Sequence, residues 1–396
     1  MNLDLAFGTW KSSGEEAHTR LTIVGWGTRV HAIEQFFPDG DGTGPLLSKW
    51  NDRADALRWL AEAVNLHGDP LRASALWDQH DTICLEHGDA PRRAATLPHR
   101  GKNLRQCGRF RAADAANRDA IALHELLGSP MLLRGVTLAW HGMALAHRGE
   151  GSESAAAFDE AMTLLEAAAA TKSGSASALG SSSGSSSSSG SGSGSGSAKD
   201  SGSGSGSGSA NQTLGVVAAF RAQRALWLGD SEAATRWADR AWELAEPLEH
   251  ASDVLDRYGA RKVTASAARM QGEALVLGGR LDEGLSRLDT ALVRAREVCF
   301  VEEIIPALRA RAISTGEPTD EARGLCRAGG YRPYEAELEL LEAQRCREAG
   351  FAAPALGHAR HALALAQCDG HPFAYQRTLT EAEEFLGREV APIHRG

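Results

Sequence analysis

A short pattern of small residues recurs along this chain of 396 residues. It starts with a glycine or alanine, places a hydrophobic residue three positions later, and continues through a glycine turn to further small residues. Small residues let two helices approach closely, and the turn glycine takes a left-handed conformation at little cost. Each copy therefore predicts one helix–turn–helix unit that must stack on its neighbours to bury its apolar face. The clear copies are Gly101, Leu104, Gly108, Ala113, Ala120; Gly142, Leu145, Gly149, Phe158, Ala161; and Gly272, Leu275, Gly279, Leu288, Ala291.

Weaker copies of the same spacing occur before, between and after the clear ones. With them, the pattern resembles the tetratricopeptide repeat (TPR) family over about residues 53–368, apart from a Ser/Gly segment and one degenerate stretch. The resemblance implies an all-α fold, a right-handed α-solenoid of TPR-like helix-turn-helix repeats whose surface binds partners. The alternative is an ordinary helical bundle with alanine-rich interfaces. The weaker copies are Leu57, Ala61, Val64, Gly68, Asp69, Ala73, Trp77; Ala222, Ala225, Gly229, Asp230, Ala234, Ala238, Ala241; and Ala343, Cys346, Gly350, Ala355, Ala359, Ala362.

A Ser/Gly-rich segment interrupts the predicted array. Serine and glycine have little apolar surface to bury, so burial cannot offset the conformational entropy that ordering would cost. A flexible linker is therefore expected over residues 171–210. The near-regular alternation favours an engineered linker, and a natural Ser-Gly expansion is the alternative. The predicted organisation is a helical cap or degenerate repeat at 1–52, three repeats at 53–170, this linker, further repeats at 211–369 and a capping helix at 370–396. Pro98 should delay or kink the helix that contains it.

The charge balance and hydrophobic pattern limit the kinds of partner that this chain is expected to bind. The net charge is −9 and the pI is about 5.9, which argues against a general affinity for nucleic acid or anionic membrane. The sequence contains no run of eighteen or more apolar residues, so no membrane-spanning helix is expected. A secretory signal has a basic region, then an apolar segment, then a cleavage site of small residues. The amino terminus lacks this order, so the expected compartment is the cytoplasm.

The sequence gives little support for catalysis. Gly101-Lys102-Asn103 lacks the upstream glycine and the hydroxyl residue of a phosphate-binding loop. His358 and His361 have no Cys or carboxylate partner at metal-binding spacing, and solvated or capping histidines are the expectation. We therefore expect no enzymatic activity, no ATP hydrolysis, no cofactor and no metal site.

The carboxy-terminal part carries a second, narrower resemblance. The run from Leu365 to Tyr375, followed by Leu379, Ala382 and Leu386, and the stretch 297–308 are similar to the TPR sensor region of bacterial STAND-type signalling ATPases. This resemblance covers about residues 250–390. It implies the sensor module of a defence or signalling protein, although the ATPase motif is absent from this chain. The alternatives are a TPR regulator of transcription or signalling that responds to a peptide or small molecule, and a scaffold or accessory subunit.

In a TPR array the first helix of each repeat lines the concave groove, which selects candidate binding residues. The cations and amides among them suit an acidic peptide or protein partner. An ordinary solvated charged face is the alternative. We expect replacement of Lys102 and Arg105 by Glu to abolish binding and leave the fold intact. The predicted concave-face residues are Arg58, Glu62, Asn65, Lys102, Arg105, Gln106, Met143, His147, Gln223 and Trp227.

Overall fold

The computed structural model describes residues 26–179, 206–251 and 254–390. Sixteen α-helices, and no strand, occur in these ranges. The amino-terminal 25 residues, the core of the Ser/Gly segment at 180–205 and the last six residues lie outside the described residues, as does most of the predicted linker. The helices are α1 Trp26–Glu34, α2 Trp50–Leu66, α3 Pro70–Glu86, α4 Ala90–Gln106, α5 Phe110–Leu126, α6 Met131–His147, α7 Gly151–Leu179, α8 Gly206–Trp227, α9 Ser231–Ala245, α10 Val254–Leu277, α11 Leu281–Glu297, α12 Val301–Thr315, α13 Asp320–Gly329, α14 Arg332–Glu348, α15 Ala352–Ala366 and α16 Gln376–Val390.

Consecutive helices pair into hairpins that stack as a solenoid, which confirms the predicted all-α fold. The pairs are α2/α3, α4/α5, α6/α7, α8/α9, α10/α11, α12/α13 and α14/α15, with α1 packed on α2 and α16 packed on α15. The expected cap geometry is also present, because the turn glycines have positive φ, for example 73° at Gly108 and 79° at Gly279. Close helix approach is visible at Gly272, where an added Cβ would lie 2.9 Å from the carbonyl oxygen of Gly284.

Two details differ from the expectation or extend it. Helix α4 neither starts late nor stops at Pro98: it begins at Ala90 and continues through the proline, which is buried in its interior. Hairpins on either side of the Ser/Gly segment also pack directly on each other. Phe158 and Leu165 of α7 share an apolar cluster with Leu214 and Val217 of α8. The solenoid therefore continues across the segment as one stack.

The solenoid curves until its later hairpins touch its earlier ones. We call residues 26–179 the first half and residues 206–390 the second half. The backbone N–H of Arg111 donates to Asp369 Oδ2 at 2.9 Å, and Arg148 Nε donates to the carbonyl oxygen of Pro372 at 3.2 Å. The run from Leu365 to Tyr375, singled out in the sequence, thus provides part of the contact between the halves. Because the array closes on itself, its concave face becomes the wall of an interior space.

Candidate functional site

The two halves line a half-open cavity of about 490 Å³ on the concave side of the solenoid. That volume lies within the range of small-molecule and cofactor sites. Almost every lining residue comes from the first helix of a hairpin, namely α2, α4, α6, α8, α10, α12 and α14. These helices therefore face the concave side of the solenoid, where the surface is a half-open chamber.

Six of the predicted concave-face residues line the cavity: Glu62, Asn65, Lys102, Arg105, Met143 and Gln223. Sequence reasoning placed them at exposed positions, whereas Arg105, Met143 and Gln223 are buried. The second half covers Arg105 and Met143, and Gln223 of the second half contacts Arg269 of the next hairpin. The other four predicted residues lie outside the cavity lining: Arg58, Gln106, His147 and Trp227.

Lys102 and Arg105, which were predicted to bind an acidic partner, already form ion pairs with an acidic residue of this chain. Glu302, at the start of α12, accepts from Arg105 Nη2 at 2.5 Å and lies 3.3 Å from Lys102 Nζ. The Arg105 side chain is only 3% exposed, and those of Lys102 and Glu302 are 12% exposed. Desolvation raises the pKa of Glu302, but Lys102 and Arg105 outweigh it and lower that pKa to about 2. This ion-pair cluster joins α4 of the first half to α12 of the second.

A second charged network forms the neighbouring wall. Arg269 of α10 pairs with Glu303 and Glu273, and its Nη2 donates to Gln223 Oε1 at 2.6 Å. Ser266 Oγ donates to the remaining carboxylate oxygen of Glu303 at 2.8 Å. Since each of these groups has a partner within the protein, this wall is neutralised internally.

Aromatic side chains make much of the remaining lining. Trp77, Trp140, Phe220, Tyr258, Phe300 and Tyr334 face the chamber. Lys102 Nζ lies 5.1 Å from the centre of the Trp140 ring, which adds a cation–π contact to its ion pair. Aromatic walls can contact the apolar surface of a ligand, while the lysines place positive charge at two positions in the lining.

Some buried polar atoms at the cavity have no hydrogen-bond partner among the described residues. Asn103 is 1% exposed, and neither its side-chain oxygen nor its side-chain nitrogen has a hydrogen bond; the Oδ1 atom of Asn65 is also unpaired. Unpaired buried amides cost free energy, and such groups normally have a protein or water partner. A ligand that offers both a donor and an acceptor would satisfy Asn103.

Sequence reasoning missed Lys262 and Glu302, which are central to the site. Lys262 lies on the first helix of a later hairpin, and extending the concave-face positions to α10 would have found it. Glu302 is 197 residues from Arg105 in the sequence. No local pattern signals that contact, which exists only because the solenoid closes.

His147 illustrates a different role for a predicted groove residue. It is 2% exposed, and its ring lies 4.9 Å from that of Trp227 and 5.3 Å from that of Tyr375. In the neutral form its Nδ1 donates to the carbonyl oxygen of Met143 at 2.8 Å, and its Nε2 accepts from Arg105 Nη1 at 3.3 Å. His147 and Trp227 therefore belong to an aromatic cluster, and His147 of that cluster holds the Arg105 guanidinium in place by a hydrogen bond.

This cluster should make the protein sensitive to mild acid. Desolvation first, and then Arg105, lower the pKa of His147 from 6.5 to about 3. The unfolded chain binds a proton below about pH 6.5 and the folded chain does not, so stability falls as the pH drops from 6.5 toward 3. At about 1.4 kcal/mol per pH unit, the loss between pH 6.5 and 5 is about 2 kcal/mol.

Denaturant unfolding at these two pH values measures the loss. His147→Asn keeps a donor for Met143 but does not titrate, so its pH dependence should be flatter by about 2 kcal/mol. His250→Asn, at an exposed position, is the matched control. Equal slopes for the wild type and His147→Asn would contradict the assignment of His147.

Comparisons with known proteins add little to this description. No protein-family model matches the sequence, and no curated protein matches it. Among solved structures, the chain is similar to the apo form of the quorum sensor NprR from B. thuringiensis, with a TM-score of 0.47 and 11% sequence identity. The match covers 88% of this chain and 85% of that chain. At these values the likeness is weak, and the fold rests on the helix packing described above. No helix in the described part of the chain has the length and apolar character needed to cross a membrane.

Proposed function

We propose that this chain is a recognition module whose interior cavity binds a peptide segment or a small molecule. One observation carries the proposal: a chamber of about 490 Å³ has aromatic walls and, at Asn103, a buried side-chain amide with no hydrogen-bond partner in the described part of the chain. Apolar walls with a few directed polar groups are typical of binding sites. A volume of about 490 Å³ suits a short segment or a small ligand better than a broad protein surface.

Recognition without chemistry is the accompanying proposal. A general base works best with a pKa near the operating pH, whereas ion pairing holds the pKa of Glu302 near 2. Glu303 and Arg269 are likewise engaged with each other. These contacts support a site built to bind, and we propose that the chain is not an enzyme and hydrolyses no ATP.

The biological setting is a further part of the proposal. The resemblance over residues 250–390 supports a sensor region of a bacterial STAND-type protein that acts in the cytoplasm. The small cavity also suits the alternative, a TPR regulator of transcription or signalling that responds to a peptide or small molecule. A nucleotide-binding module encoded with this chain in its parent gene would support the first setting, and a DNA-binding module the second.

The cavity itself is tested by filling it. Val216 of α8 lines the chamber and is partly exposed to it, so a Trp at this position should project into the space. Purified protein would be incubated with pooled short peptides and small metabolites, and retained compounds would be identified by mass spectrometry after gel filtration. We expect Val216→Trp to lose at least tenfold in retention of compounds that the wild type holds, because its indole occupies their space.

Val293→Trp is the matched control, since Val293 is 59% exposed and lies outside the cavity lining. Circular dichroism and melting curves of both variants would show that each keeps the helical fold. If the wild type retains no compound, or if Val216→Trp retains the same compounds equally well, the cavity is not the binding site.

A further inference from the structure

Lys262 differs from every other cation in the cavity wall. It lies on α10, and its Nζ has no carboxylate within ion-pair distance among the described residues, whereas Lys102, Arg105 and Arg269 each have one. Two aromatic rings lie beside it: Nζ is 4.5 Å from the centre of the Phe300 ring and 5.0 Å from that of Tyr258. Rings stabilise a cation but do not neutralise it.

The surroundings leave this part of the cavity with an excess of positive charge. Glu302 pairs with both Lys102 and Arg105, and it acts on Lys262 only from beyond ion-pair distance. Desolvation first, and then Lys102, lower the pKa of Lys262 well below its ordinary value, while Glu302 opposes them. The local field thus favours a further negative charge. Glu62 also lines the chamber, and it forms no ion pair with Lys262 or with another described residue.

Apolar surface adjoins these cations. Met143, Val216, Ala219, Phe220, Val263 and Met270 line the same chamber. A ligand that fills it would bury an apolar or aromatic body against these side chains while its charged end reaches the lysines. Burial of apolar area supplies affinity, and a charge-assisted hydrogen bond supplies orientation.

We propose that the cavity selects an apolar ligand bearing one anionic group, and that Lys262 holds that group. This proposal rests on the proposed function of the cavity and specifies the class of ligand. Two sources share this chemistry: the terminal carboxylate of a hydrophobic peptide and the carboxylate of a small organic acid. Glu302 acts as an internal competitor, because it occupies the donors of Lys102 and Arg105 that the same anion would otherwise reach.

A pair of fluorescent probes tests the charge requirement directly. 8-Anilinonaphthalene-1-sulfonate and N-phenyl-1-naphthylamine have the same ring skeleton, and only the first carries an anionic group. We expect Lys262→Met to weaken binding of the sulfonate by about tenfold to a hundredfold, the range for losing one charge-assisted hydrogen bond. Binding of the neutral probe should change less than about twofold, because Met preserves the apolar stem.

Two further variants separate a local charge effect from a general one. Lys49→Met removes an exposed lysine that makes no side-chain cap to α2, and it should bind both probes like the wild type. Glu302→Gln should tighten sulfonate binding severalfold, since it frees the donors of Lys102 and Arg105. Melting curves would confirm that every variant tested is folded at the assay temperature.

The outcomes distinguish the two proposals. If both probes bind, Val216→Trp blocks both, and Lys262→Met leaves sulfonate affinity unchanged, the cavity is a binding site but the anion subsite is wrong. Should Val216→Trp affect neither probe, the cavity proposal fails and the Lys262 proposal fails with it. Selective loss of the sulfonate in Lys262→Met supports both.

Competition against the bound sulfonate then identifies the source of the anion. A hydrophobic N-acetyl dipeptide with a free terminal carboxylate should displace the probe, and its terminal amide should be at least about tenfold weaker. If 4-phenylbutyrate competes as well as the dipeptide acid, a small organic acid suffices; if it does not, the peptide backbone contributes. Equal competition by the acid and the amide would overturn the proposed role of the charge.

Discussion

Replacing Arg105 by Glu is expected to destabilise the protein by about 3–5 kcal/mol, the usual cost of breaking a buried ion pair from one side. The substitution would place a new carboxylate beside Glu302, which is itself largely buried, and would remove the donor that faces His147. Denaturant unfolding monitored by circular dichroism at neutral pH measures the change. This expectation replaces the sequence-based one, in which reversal of Lys102 and Arg105 leaves the fold intact.

A charge swap provides the sharpest control for this effect. Adding Glu302→Arg to the Arg105→Glu variant restores an opposite-charge pair, and a double-mutant cycle should show favourable coupling between the two positions. Arg118→Glu, at a side chain that is 64% exposed on α5, should cost less than about 1 kcal/mol. A stability near that of the wild type for Arg105→Glu would mean that the two halves do not depend on this ion pair.

The second large effect is expected at Gly329, the last residue of α13. A Cβ there would lie 2.2 Å from the carbonyl oxygen of Gly68 in the first half and 2.5 Å from Tyr331 Cε2. Because the first of these atoms belongs to the backbone, it cannot move aside as a flexible side chain would. We expect Gly329→Ala to cost about 3 kcal/mol, at the upper end of overpacking effects, by separating the halves.

Gly324→Ala, on the same helix, is the matched control. Apart from its chain neighbours and the backbone of its own helix, no atom of the described residues lies within 4 Å of the Cβ that this substitution adds. Alanine also favours a helix over glycine by about 1 kcal/mol. The control should therefore melt slightly above the wild type while Gly329→Ala melts well below it. Equal melting temperatures for the two variants would show that the contact between Gly68 and Gly329 is dispensable.

Local sequence signals were sufficient for the hairpins. Gly108 and Gly279 occupy turns that require positive φ, and Gly272 lies where two helices come too close for a side chain. These requirements act over a few residues, so a repeated spacing reveals them. Pro98 shows the limit of local rules, because tertiary packing holds a continuous helix around a residue that disfavours one.

The site was only partly predictable, because several of its contacts join residues that are far apart in the sequence. Glu62, Lys102 and Met143 could be placed on the concave side from helical periodicity alone. His147 and Trp227 fit the same periodicity, yet they pack against Tyr375 from the other end of the chain. The degree of superhelical curvature decides such contacts. It is the sum of small rotations between hairpins, and no single repeat encodes it.

Closure of the solenoid also changes how the chain should fold. In an open repeat array, each unit contacts only its neighbours, so folding can begin anywhere and terminal units can unravel alone. Here Arg111 and Arg148 of early hairpins bond to Asp369 and Pro372 near the carboxyl end. Contacts of such long sequence separation slow folding and couple the ends of the chain. The hairpins α4/α5 and α6/α7 should therefore gain and lose hydrogen-exchange protection together with the last hairpin, as one cooperative unit.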